Sequence, residues 1–91
     1  MKKILLLLIF LSIHQISSSC RHLSGNDWRC HLGCFHQSEI ASEQKLRKEC
    51  AELCIRNNFS RSIGQHIARN ERCGHPETHE NYYNFYCNCR K

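Results

Sequence analysis

Cys50-Ala51-Glu52-Leu53-Cys54 and Cys87-Asn88-Cys89 are the stretches on which the fold turns. On a helix, residues i and i+4 share a face and lie about 6 Å apart along the axis. On a strand, residues i and i+2 share a face about 6.6 Å apart. A Cys-x-x-x-Cys helix can therefore be fastened to a Cys-x-Cys strand by two parallel disulfides with little strain. Cys87-Asn88-Cys89 is the one Cys-x-Cys in the chain, so the spacing predicts Cys50–Cys87 and Cys54–Cys89.

The residues around Cys50 support the helix. Good helix formers fill Glu39 to Asn57, with Ser38 as N-cap and Asn57-Asn58 as stop. Leu46, Cys50, Leu53, Cys54 and Asn57 fall on one face. Around Cys87, Asn81 to Cys89 is aromatic-rich and alternates at its end, which reads as strand. Cys73-Gly74-His75-Pro76 reads as a turn, so Asn70–Cys73 is the expected partner strand of a hairpin. A shorter helical turn is expected over Asp27–Phe35, capped by Asn26, with Trp28 and Leu32 at i, i+4; Gly33 weakens it. Residues 58–69 are ambiguous, with a short helix from Ser60 to Arg69 as one option.

Four cysteines remain, Cys20, Cys30, Cys34 and Cys73. The spacing does not fix their pairing; Cys34–Cys73 with Cys20–Cys30 is a guess, one choice among 105 connectivities for eight cysteines. A competing arrangement joins Cys30-x3-Cys34 to Cys50-x3-Cys54 as two antiparallel helices, which leaves Cys-x-Cys unexplained. The expected fold is a small disulfide-rich α+β domain, one main helix stapled to a terminal β-hairpin.

Length and composition agree. The chain has 91 residues, 8 Cys, 1 Pro and a formal net charge of +5. Thiols at this density are stable as disulfides only in an oxidising compartment. Residues 1–19 read as a secretory signal peptide: Met1-Lys2-Lys3, an apolar run from Ile4 to Ile13 too short to span a bilayer, and small residues at Ser17-Ser18-Ser19. Residues 20–91 are then the mature domain, secreted and extracellular, with all eight cysteines and a charge of +3. A core of this size supplies about 3–5 kcal/mol, so bridges worth about 2–4 kcal/mol each decide whether it folds.

On these residues the chain resembles the cysteine-stabilised αβ peptides, the defensins and related toxins. Cys20-Arg21-His22-Leu23-Ser24-Gly25 is similar to the opening loop of arthropod defensins. Cys50 to Arg56 resembles their helix and Cys87-Asn88-Cys89-Arg90 their last strand. Macins are similar too, through Trp28-Arg29-Cys30, the Cys34-x15-Cys50-x3-Cys54 spacing and the final Cys-x-Cys. The chain departs from the family at Glu71-Arg72-Cys73, where Gly-x-Cys is usual, and in the long stretch from Cys54 to Cys73. The resemblance implies a host-defence peptide acting on microbial membrane or cell-wall lipid. Its alternative is a secreted toxin or ligand that blocks an ion channel or receptor.

Arg56, Arg61, Arg69 and Arg72 fall within seventeen residues that hold one acid, Glu71. With Phe59, Ile63 and Ile67 as an apolar strip, they form a candidate membrane or target contact. The bland alternative makes that strip core and the arginines a solvated face. Tyr82, Tyr83, Phe85 and Tyr86 with Trp28 offer a second recognition surface, Phe85 being the one best suited to the core. Asn58-Phe59-Ser60 is a glycosylation sequon whose glycan, if added, would mask the strip. The mature histidines, as a residue class, add positive charge in mild acid. His75-x3-His79 with Glu77 and Glu80 has metal-ligand residue types, but Pro76 interrupts the spacing, so no metal or other cofactor is expected. No Ser-His-Asp, Gly-rich phosphate loop or His-Glu-x-x-His pattern occurs, so no enzyme is expected, and the mild charge gives no nucleic-acid stripe. A monomer is expected.

Overall fold

The computed structural model describes residues 18–75, 77 and 80–91. Along the chain run β1 (Cys20–Ser24), β2 (Asp27–His36), α1 (Gln37–Ile40), α2 (Glu43–Arg56), β3 (Arg61–Arg72) and β4 (Tyr82–Arg90). The strands form one antiparallel sheet in the order β1-β2-β4-β3. Most of the expected signal peptide lies outside the described residues. Among those described, no helix is long and apolar enough to cross a membrane.

The Cys50 helix forms with two changes. It begins earlier and it breaks. His36, not Ser38, caps α1: its Nδ1 accepts from the Ser38 N–H at 3.1 Å, while Glu39 reaches back to the His36 N–H. Ser42 leaves helical geometry at ψ 66°. In an unbroken helix Ile40 would sit about 120° away from Leu46. The break turns both into the core, at 8 % and 3 % exposure. Asn57 caps the C-terminus of α2, followed by Asn58 in the left-handed region at φ 66°. The Phe59 N–H donates to the Cys54 carbonyl and the Asn58 N–H to the Ile55 carbonyl, a Schellman closure.

Cys50–Cys87 and Cys54–Cys89 pair as the spacing predicts, and the remaining four cysteines, whose pairing the spacing did not fix, form Cys20–Cys30 and Cys34–Cys73. The helix-to-helix arrangement of Cys30 and Cys34 with Cys50 and Cys54 does not occur. Cys30, Cys50, Cys54, Cys87 and Cys89 have no exposed surface and form the centre of the core with Leu46, Phe59 and Phe85.

The sheet is larger than a terminal hairpin. β4 is an interior strand, paired to β2 on one edge and to β3 on the other. Asp27–Phe35 is strand, not helix: Gly25 at φ 54° turns the chain so that β1 and β2 pair, and Trp28 and Cys30 alternate inward against Asp27 and Arg29 outward. The option of a helix from Ser60 to Arg69 also gives way to strand. Ile63 and Ile67 are β-branched and Gly64 is a poor helix residue, so propensity offered little resistance to pairing with β4.

Candidate anion-binding sheet face

Alternation along β4 sorts its side chains. Phe85, Cys87 and Cys89 point to α2 and are buried; Asn84, Tyr86, Asn88 and Arg90 point away from it. Cross-strand partners share a face. The outer face therefore takes Asp27, Arg29 and His31 from β2, Arg61, Gly64 and His66 from β3, and Arg21 from β1. No described helix packs on it.

Two features stand out chemically. Arg21 lies directly opposite Arg29, and Arg61 directly opposite Arg90. Like charges opposite one another weaken a sheet, yet this face holds two such pairs. Asp27 relieves Arg90, whose Nε donates to Oδ1 at 2.8 Å. That hydrogen bond, aided by the charge of Arg90, holds the Asp27 carboxyl below its usual value and raises the guanidinium in return. Arg29 donates to Asn88 Oδ1 at 2.9 Å, a neutral partner. Arg21 and Arg61 are exposed. The second feature is a row across three strands, His31–Tyr86–His66, with ring centroids 5.1 and 6.1 Å apart.

Glu71 anchors that row. Its Oε2 accepts from the Tyr86 hydroxyl at 3.1 Å and from Asn84 Nδ2 at 3.5 Å, while Asn84 Oδ1 meets His31 Nε2 at 2.9 Å. Burial, reinforced by the hydrogen bond to Glu71, pushes the Tyr86 phenol above its ordinary value; Arg21 and Arg29 act weakly in the opposite sense. The result is a fixed polar surface with surplus positive charge, suited to holding anionic groups by Coulomb attraction and guanidinium hydrogen bonds.

The contact set anticipated around β3 is not assembled on one surface. Phe59 is 3 % exposed and packs against Trp28 at 5.7 Å between centroids, so it is core. Ile67 is half-buried against the same core; Ile63 is 39 % exposed. A helix would have stacked these three on one stripe; here Phe59 lies before β3, and the register shift between Ser62 and Gly64 takes Ile63 out of the regular alternation that keeps Ile67 inward. Arg56 is exposed in the last turn of α2. Arg69 lies over the Tyr83 ring at 5.6 Å, and Arg72 pairs in register with Tyr83. Of the seven residues, only Arg61 joins the outer face. Among the described residues, the exposed large apolar side chains, Leu23, Ile55 and Ile63, come from three different elements.

Of the aromatic set, Phe85 is core, Trp28 is half-buried, and Tyr86 is the member at the centre of the outer face. Asn58 is exposed at the α2–β3 turn, where a glycan has room. Among the described residues no group of three or more His, Cys, Asp or Glu side chains is placed for a metal ion. His79, on which the His75-x3-His79 spacing depends, lies outside them. No protein-family model, curated protein or solved structure matches the chain.

Proposed function

We propose that this protein is a secreted, cysteine-stabilised αβ domain of the defensin-like kind that acts in host defence by adsorbing to anionic microbial surfaces through its outer sheet face. The observation that carries this reading is the pair of like-charge juxtapositions, Arg21 with Arg29 and Arg61 with Arg90, on a face left bare by both helices. Asp27 and Asn88 hold Arg90 and Arg29 within the sheet, but sheet stability gives no reason for exposed Arg21 and Arg61 opposite them, and an anionic partner does. Four disulfides fit an extracellular setting. Because the exposed apolar residues do not converge, adsorption to headgroups or cell-wall phosphates fits better than deep insertion.

The test compares the wild-type protein with the Arg21→Gln/Arg29→Gln variant on phosphatidylglycerol vesicles and on growing bacteria. Each cation near an anionic surface is worth about 1 kcal/mol, so the double variant should bind about thirtyfold more weakly and lose growth inhibition. Equal binding by both proteins rejects the face. A ligand that blocks one channel or receptor is the second reading, favoured by the scattered apolar residues; it predicts activity on that target with bacteria untouched.

A further inference from the structure

On the opposite side of the sheet, α1, the start of α2 and β3 enclose a cleft of about 390 Å³, within the usual span of small-ligand sites, about 300–1,000 Å³. Ile40, Leu46, Ile67 and Phe85 line its floor. Arg47 and Arg69 stand among its walls. Arg69 is held by the Tyr83 ring at 5.6 Å, and Arg47 by Glu43 at 3.0 Å. Glu43 also lines the cleft, so the wall carries two guanidinium groups against one carboxylate. An apolar floor beside two exposed guanidinium groups suits a short alkyl chain ending in an anionic head.

We propose that this cleft binds a single-chain anionic amphiphile, the chain on the Ile40–Leu46–Ile67–Phe85 floor and the head at Arg69 and Arg47. The site is separate from the outer face and does not depend on the function proposed for it. A neutral chain of equal length gains the floor but not the head contact. Arg69 contributes most, because Arg47 already shares its charge with Glu43. Glu43 opposes the anionic head, so its removal strengthens binding.

The experiment titrates the disulfide-intact, isotope-labelled protein with sodium octanoate and, separately, with 1-octanol, following backbone amide NMR shifts. Octanoate should shift the Ile40, Leu46, Ile67 and Phe85 amides and bind at least fivefold more tightly than octanol. Arg69→Gln should weaken octanoate about threefold and leave octanol unchanged, the size expected for one exposed charge contact. Glu43→Gln should tighten octanoate about twofold. Octanol binding as well as octanoate, shifts confined to other residues, or weaker binding by Glu43→Gln would overturn the proposal. Both substitutions leave the Arg21 and Arg29 face intact, so vesicle adsorption reports on that face independently.

Discussion

Removing one of the two bridges between α2 and β4 should cost much less than half of what removing both costs. Cys50–Cys87 and Cys54–Cys89 span 37 and 35 residues. Their stabilising effects are not those of two independent long loops. With Cys50–Cys87 in place, Cys54–Cys89 closes only a small ring, four steps along α2 and two along β4. The loop-entropy relation gives such a ring of about six residues roughly 2 kcal/mol. Taking away the second bridge as well opens a ring that runs through Cys34–Cys73, about thirty residues long and worth about 3.6 kcal/mol more. Hence Cys54→Ala/Cys89→Ala and Cys50→Ala/Cys87→Ala should each cost about 2 kcal/mol and lower Tm by about 8–16 °C. The quadruple variant should lose about 6 kcal/mol, more than a core of this size supplies, and be unfolded without denaturant. Guanidinium unfolding followed by circular dichroism measures this. If either single-pair variant lost about 4 kcal/mol, or the quadruple variant stayed folded, the parallel-staple geometry would be refuted.

Four further outcomes follow from the same geometry. Phe59→Ala should cost about 3–5 kcal/mol in thermal or chemical denaturation, because Phe59 fills the core beside Trp28 rather than meeting solvent; a loss under 1 kcal/mol contradicts that placement. Arg21→Gln should leave Tm unchanged or slightly raised while reducing vesicle binding, since it relieves the contact with Arg29; a clear fall in Tm would make Arg21 structural. Asp27 has a folded-state value below its unfolded one, so its stabilising effect is complete above the unfolded value and is lost as pH falls through the folded one. Wild type should therefore lose more stability than Asp27→Asn on acidification below about pH 4, and parallel pH curves for the two would refute the link. Tyr86 behaves oppositely: raised in the folded state, it stabilises below the unfolded value and ceases to as pH climbs through the folded one. Wild type should thus lose more stability than Tyr86→Phe above about pH 10, as alkaline melting curves will show.

The staple was legible because a Cys-x-x-x-Cys and a lone Cys-x-Cys are short-range patterns with few geometric matches. The buried side of α2 was legible for a similar reason, through the 3.6-residue spacing of Leu46, Cys50 and Cys54. β2 was not, because Trp28 with Leu32 and Cys30 with Cys34 are spaced as on a helix, while the same segment also alternates as a strand. What separates the two is pairing on both edges, with β1 and β4, and no local window contains it. The outer face was hidden for the same reason. Arg21, Arg29, Arg61 and Arg90 lie far apart in sequence and meet only through the strand order β1-β2-β4-β3. Alternation in Tyr82-Tyr83-Asn84-Phe85-Tyr86-Cys87-Asn88-Cys89-Arg90 was the available signal, since it places Tyr86, Asn88 and Arg90 opposite the cysteine side. The β3 strip was misplaced because Phe59 lies before the strand and a register shift between Ser62 and Gly64, which no local spacing announces, displaces Ile63 from the face of Ile67.

The most direct test of the sheet face is its footprint on an anionic surface. Amide and side-chain NMR shifts of the disulfide-intact protein, recorded with and without phosphatidylglycerol bicelles, report which residues make contact. Perturbations should centre on Arg21, Arg29, His66 and Tyr86 and weaken as salt rises. A footprint on Lys45, Lys48 and Glu52 of α2, with the four sheet residues unmoved, would contradict the account.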